Sequence, residues 1–218
     1  NTNLDAFAST PFRLLWCSSL ALASAQWMER VATGWLALEM GGGPLGVGVV
    51  YAARTLPLLL FGLPAGTVAD RHDRRRLLMA IGVAGTTLTV ALGWMVRAGA
   101  VGLWQVAAIA FMSGFVQVSD TPARQALVFD VVGRAAAPNA IALNAIALRS
   151  FGAVGALAGG FVIPTFGVAN CFFLVGASYL LGLAFIAALR VPPALARRGL
   201  ARPSFGHALT DAARLILD

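Results

Sequence analysis

Long apolar runs fill most of this chain, and short polar segments separate them. A helix needs about 20 apolar residues to cross the hydrocarbon core of a bilayer. Six runs approach or exceed that length, and they cover residues 14–38, 45–69, 77–96, 101–118, 140–164 and 171–189. Periodicity adds little to this assignment, because a helix surrounded by lipid and other helices is apolar on every side. The pattern therefore predicts an all-α membrane protein with six transmembrane helices.

The charges between these runs predict which way the chain crosses. The connection at 66–76, G-T-V-A-D-R-H-D-R-R-R, alone contains four arginines, whereas on the opposite side only Arg97 lies in a loop. Cationic loops stay in the cytoplasm during insertion. We therefore expect the segment 66–76 and both termini to be cytoplasmic, which requires an even number of spans.

The composition indicates whether lipid or water surrounds the chain. Of its 218 residues 59% are hydrophobic and 11% are charged, compared with about 45–50% apolar in an average protein. The net charge of +7 comes from 16 arginines without a lysine. In a soluble protein this excess would favour nucleic-acid binding, but a cytoplasmic membrane face explains it better. We therefore expect the lipid bilayer, and no nucleic acid, as a partner.

Four charged residues interrupt the predicted spans: Glu29 and Arg30 in the first, Arg54 in the second and Arg149 in the fifth. A charge near the bilayer centre costs about 3 kcal/mol on insertion scales, so such residues mark functional sites by default. At a rise of ~1.5 Å per residue, Glu29 and Arg54 lie at similar depth, roughly 14–16 Å below the outer surface. We expect them to pair or to share a cavity.

These four groups are the candidate residues for substrate binding and proton coupling. One negative and three positive charges favour a small-molecule substrate with an anionic group. Glu29 is the candidate coupling carboxylate, because burial disfavours its charged form while a nearby arginine favours it. The alternative is a fixed ion pair that only sets the register of two helices.

Glycine pairs suggest an internal repeat. Gly62 and Gly66 follow Arg54 in the second span, and Gly155 and Gly159, next to Gly160, follow Arg149 in the fifth. Each span is the middle helix of a triplet, as a three-plus-three inverted repeat would have it. The direct role of small residues at this spacing is close helix packing.

Enzymatic chemistry finds no support in the sequence. There is no phosphate-binding loop, nucleophile elbow or dinucleotide fingerprint. His72 and His207 are isolated, so we expect no metal site. The sequence predicts a protein that is not an enzyme and has no cofactor, with a proton gradient as its energy source.

The arginine-rich connection resembles the loop signature of the major facilitator superfamily, G-x-x-x-D-R-x-G-R-R. The matching residues are Gly66, Asp70, Arg71, Arg74 and Arg75, with Asp73 in place of the usual glycine. Further stretches resemble the exporter branch related to siderophore and macrolide efflux proteins; they are F-R-L-L-W at 12–16, W-L-A-L at 35–38, P-A-R-Q-A-L-V at 122–128, P-N-A-I-A-L-N at 138–144 and R-S-F-G-A-V-G at 149–155.

This resemblance implies the N-terminal half of a twelve-span transporter, with the C-terminal six-helix half missing from the sequence. Residues 1–190 would form the six-helix bundle, and 191–218 the start of the central cytoplasmic linker. Residues 204–218 have the spacing of an amphipathic helix on the membrane surface, although a frayed tail is an equal alternative. The expected location is the bacterial plasma membrane.

The resemblance also implies roles for the loop. Asp70 and Arg74 would act in gating, and Arg74 would pair with an acid at the cytoplasmic end of span four, where Asp120 stands. The alternative is a solvated loop that serves topology alone.

The function implied is secondary active transport by alternating access, as proton-coupled efflux of small amphiphilic molecules such as drugs or siderophores. Two alternatives remain open: an inactive half-transporter with a structural role in the membrane, and a lipid transporter of the same fold.

Overall fold

The structure is a computed structural model that describes residues 9–71 and 73–189, without the side chains of 63–71, 134 and 135. These residues form six helices: α1 Thr10–Glu39, α2 Gly43–Arg71, α3 Arg74–Arg97, α4 Leu103–Val118, α5 Asp120–Phe166 and α6 Val168–Ala188. The predicted linker and amphipathic helix at 191–218 lie outside the described residues.

Local sequence explains where several helices begin. The Ser9 hydroxyl caps α1 by accepting a hydrogen bond from the Phe12 amide at 3.4 Å. The Asp73 carboxylate caps α3 by accepting from the Arg76 amide at 3.0 Å. Each side chain pairs with an amide that the helix itself leaves without a partner.

The arginine-rich connection is shorter than the sequence predicted. The expected loop covered 66–76, but α2 continues to Arg71 and α3 begins at Arg74. Gly66 and Asp70 therefore lie within α2. The apolar run, which was expected to end at residue 69, thus ends before the helix does.

The predicted connection at 119–139 is largely helical. Ser119 keeps right-handed helical angles (φ −86°, ψ −14°) between α4 and α5. The helical backbone is interrupted at Gly133, where φ is 76° and ψ is 169° inside α5. Only glycine adopts that conformation readily. The helical segments that correspond to the predicted spans four and five are therefore 103–132 and 134–166.

Helix α1 lies at the centre of the bundle and packs most extensively against α5 and α6, while α3 packs against α6 and α2 against α4. Gly155 brings the backbone of α5 against Ser24, and Gly159 lies against Met28 of α1. These two glycines pack helices as predicted. Gly160 faces open space, and Gly62 has only Leu58 of its own helix nearby, so the packing prediction is wrong for these two within the described chain.

Four helical segments of the described residues are long and apolar enough to cross a membrane: Gly43–Gly62, Arg74–Arg97, Ala136–Phe166 and Val168–Ala188. Helix α1 is long enough, but its polar residues lower its hydropathy, and α4 has only 16 residues. The fold is therefore an all-helical multi-pass membrane bundle. The count of six spans and the three-plus-three repeat remain predictions.

Candidate functional site

A buried ion pair joins the first two helices. Arg54 of α2 donates from Nη1 to Glu29 Oε1 at 3.0 Å and from Nη2 to Oε2 at 3.3 Å. Glu29 is 2% exposed and Arg54 is 8% exposed. The two residues lie at the same depth on adjacent antiparallel helices, and their predicted pairing is confirmed.

A third donor comes from α6. The Tyr179 hydroxyl, which is buried, donates to Glu29 Oε2 at 3.0 Å. The carboxylate thus accepts three hydrogen bonds. Sequence reasoning missed Tyr179 because it searched the spans for charges and α6 has none. A phenol in an apolar span is itself a signal, since its hydroxyl needs a partner when buried.

Beside this pair lies a cavity of about 940 Å³. Helices α1, α2, α4 and α5 line it, with Gln26, Trp27, Arg30, Tyr51, Arg54, Gln117 and Thr121 among its polar and aromatic residues. No aspartate or glutamate stands on the part of its wall that the structure describes, so the charges exposed there are those of two arginines.

Arg30 makes one contact through its side chain and another through its backbone carbonyl. Its guanidinium carbon lies 4.7 Å from the centroid of the Trp27 ring, a cation–π contact. Its backbone carbonyl accepts a hydrogen bond from the Tyr51 hydroxyl at 3.1 Å. Arg30 and Arg54 thus line one cavity, with Glu29 directly behind Arg54.

Arg149 is not brought together with the other three charged residues. It is exposed, and it does not line this cavity. Gly152 and Gly155 bring α5 so close to α1 that only small residues fit at the contact. The long side chain of Arg149, one turn earlier, therefore lies outside it.

At the arginine-rich end, Arg74 ties the start of α3 to α5. Its Nη1 donates to Asp130 Oδ2 and to the Ala126 carbonyl. The prediction that Arg74 pairs with Asp120 is wrong. Because helix continues beyond residue 118 up to residue 132, Asp130 lies at the arginine-rich end of this helical segment.

Asp120 belongs to a second buried network. Arg124 donates to both of its carboxylate oxygens, at 3.0 and 3.2 Å, and also to the hydroxyls of Ser18 and Ser19 on α1. This network joins α5 to α1 between the Glu29 site and the start of α1.

The end of α6 is held by Arg75. The Arg75 guanidinium donates to the carbonyls of Ile186 and Ala187, at 3.2 and 2.6 Å. These acceptors belong to the last turn of the helix, where carbonyls lack helical partners. Among the predicted loop residues, the side chains of Asp70 and Arg71 lie outside the described part, so their gating role stays a prediction.

The described residues form a multi-pass helical bundle with a polar cavity beside a buried ion pair, an arrangement that secondary transporters share. The chain belongs to the transmembrane secretion effector family, whose model matches residues 1–216 and which is a family of major facilitator transporters and not of enzymes.

Known transporters are similar to this chain. The staphyloferrin A transporter of Staphylococcus aureus is 22% identical over 168 residues, which are 76% of this chain and 42% of that protein. The multidrug efflux pump Tap of Mycolicibacterium fortuitum is 28% identical over 189 residues, 83% of this chain and 46% of the pump. Tap of Mycobacterium tuberculosis is 29% identical over 190 residues, which are 83% of this chain and 44% of that pump. The chain thus spans less than half the length of these relatives.

Proposed function

We propose that this chain is the N-terminal half of a proton-coupled exporter of small amphiphilic molecules, with Glu29 as the coupling carboxylate. The observation that carries the proposal is the buried Glu29, bound by Arg54 at the wall of a large cavity. Relatives named as multidrug efflux pumps support export as the direction, and the relative named as a staphyloferrin A transporter supports transport of a small molecule.

All six predicted spans cross the membrane in this proposal. The 30 residues of α1 extend about 45 Å at the usual rise, enough to cross. Since four other helices surround α1, it meets little lipid and needs less apolar surface. Helix α4 crosses together with residues 120–132, so the crossing covers 103–132.

The arginine-rich end lies in the cytoplasm of a bacterium in this arrangement, and both termini with it. The starts of α1 and α3, the end of α6 and the turn at Gly133 share one apolar cluster. The positive-inside rule places that end. Glu29 and Arg54 then lie near the middle of the bilayer, where a secondary transporter binds substrate and coupling ion.

The coupling step follows from the three donors on Glu29. As a carboxylate, Glu29 holds Arg54 and Tyr179, which keeps α1, α2 and α6 together at this level. A proton on Glu29 removes its charge and releases the Arg54 guanidinium toward the cavity. The Glu29 carboxylate and an anionic group of the substrate thereby compete for the same arginine, which links protonation of Glu29 to substrate binding as the two halves rock about the site.

The proton gradient itself provides the test of this function. We expect the full-length protein, reconstituted in proteoliposomes, to move an amphiphilic dye faster when a pH gradient is imposed. Collapse of the gradient with an ionophore should return the rate to that of protein-free vesicles. Gradient-independent dye movement would indicate uniport and contradict coupling. Movement of a fluorescent phospholipid in place of the dye would favour the lipid transporter.

A further inference from the structure

The two arginines on the cavity wall differ in whether a carboxylate pairs with them. Arg54 lines the cavity, but Glu29 already pairs with it. The Arg30 guanidinium lines the same cavity, and no carboxylate among the described residues pairs with it. One cation is therefore available to a ligand.

An unpaired donor stands on another wall of the cavity. The Nε2 atom of Gln117 is buried and has no hydrogen-bond partner among the described residues. Buried donors are rarely left without partners in native proteins. Gln117 belongs to α4 and lines the cavity together with Gly114. Because the Nε2 atom is buried, it presents almost no surface to the cavity, and contact with a ligand charge therefore rests on Arg30.

The rest of the wall is aromatic and apolar. Trp27 is 43% exposed and Tyr51 40% exposed, and Leu58 lines the cavity beside them. An aromatic or apolar ligand body fits this surface, since flat rings stack on such side chains. While Glu29 is ionised and holds Arg54, a single guanidinium is available, and it matches a monoanion because a second ligand charge would remain uncompensated.

We propose that this cavity is a binding site for organic monocarboxylates. Arg30 binds the carboxylate, for which the planar guanidinium has matching geometry. Trp27 covers the apolar body of the ligand. The proposal rests on the proposed function in one respect, that this cavity is the transport site. It narrows the expected anionic group to a carboxylate and assigns it residues.

Three probes with one aromatic skeleton test the proposal. They are naphthalene-2-carboxylate, its neutral carboxamide and naphthalene-2-methylammonium, titrated into the purified full-length protein without any gradient. We expect the carboxylate to bind 10- to 100-fold more tightly than the amide, about the range that a charge-assisted hydrogen bond supplies. The ammonium probe should bind most weakly.

Arg30→Ala should remove the preference for the carboxylate, and Arg30→Lys should keep part of it. The matched control is Arg97→Ala, which removes an exposed positive charge at the far end of α3 and should leave the preference unchanged. Equal binding of carboxylate and amide by the wild type, or a preference that survives Arg30→Ala, would overturn the proposal. Since no gradient is present, these results do not depend on whether Glu29 couples transport to protons.

Discussion

Replacing Glu29 with glutamine in the full-length protein is expected to abolish accumulation driven by a pH gradient while preserving substrate exchange across the membrane. Glutamine keeps the size of the side chain and an oxygen that can accept from Arg54, but it cannot gain or lose a proton at physiological pH. Exchange requires only alternating access. The measurement compares gradient-driven accumulation with equilibrium exchange in the same proteoliposomes.

Exchange also serves as the folding control for this variant. If Glu29→Gln loses exchange as well, Tyr179→Phe provides the second test, because it removes one donor to Glu29 and leaves the ion pair with Arg54 in place. That variant should accumulate substrate with an altered pH profile. Wild-type accumulation by Glu29→Gln would refute the coupling role.

The second large effect concerns stability. Arg54→Leu leaves the buried Glu29 carboxylate with only the Tyr179 hydroxyl as a donor. Removal of one partner from a buried ion pair costs about 3–5 kcal/mol, because the remaining charge is uncompensated. We expect a correspondingly lower midpoint when the purified protein is unfolded with a denaturing detergent. Arg97→Leu, at an exposed position, should change the midpoint little.

A double variant separates the lost ion pair from a general packing defect. Glu29→Gln combined with Arg54→Leu removes both charges, and we expect it to recover at least half of the stability lost in Arg54→Leu alone. Neighbouring residues in one network couple in this non-additive way. Additive losses in the double variant would mean that the two side chains do not depend on each other, contrary to the geometry.

The central pair could be predicted from the sequence because depth in a membrane helix follows directly from residue counts. Glu29 and Arg54 stand at similar distances from the turn that joins α1 to α2, and the fixed rise per residue places them level. The fold class could be predicted as well, since the length of the apolar runs matches the thickness of the hydrocarbon core of a bilayer. Both inferences depend on local sequence and one physical dimension.

Partners that come from distant parts of the chain could not be predicted in this way. Tyr179 contacts Glu29 from α6, 150 residues away in the sequence. It is uncharged, so a search of the spans for charged residues did not find it. Asp130 was missed as the partner of Arg74 because span four was ended at the last apolar residue. Helices continue into polar surroundings, and hydropathy alone does not find their ends.

The position of Arg149 was not predictable in this way. A charge in an apolar run predicted a shared interior, and in this chain the side chain is exposed and does not line the cavity beside Glu29. Which face of a helix a residue occupies depends on how that helix packs, and here Gly152 and Gly155 set the packing. In an apolar span neither the charge nor the glycine spacing alone fixes the orientation of the helix.

The account depends most on the claim that the chain crosses the bilayer six times with its arginine-rich end in the cytoplasm. Site-directed labelling in intact cells tests this claim. Cys17 and Cys171, which are free thiols, are first replaced by serine and alanine. Single cysteines are then placed at exposed positions, Thr10 and Arg76 at the arginine-rich end and Ala98 and Thr165 at the other.

A maleimide that cannot cross membranes should label Ala98→Cys and Thr165→Cys in intact cells. It should label Thr10→Cys and Arg76→Cys only after permeabilisation. Labelling of Ala98→Cys but not Thr165→Cys would mean that α4 does not complete a crossing. Labelling of Arg76→Cys from outside the cell would contradict the account as a whole.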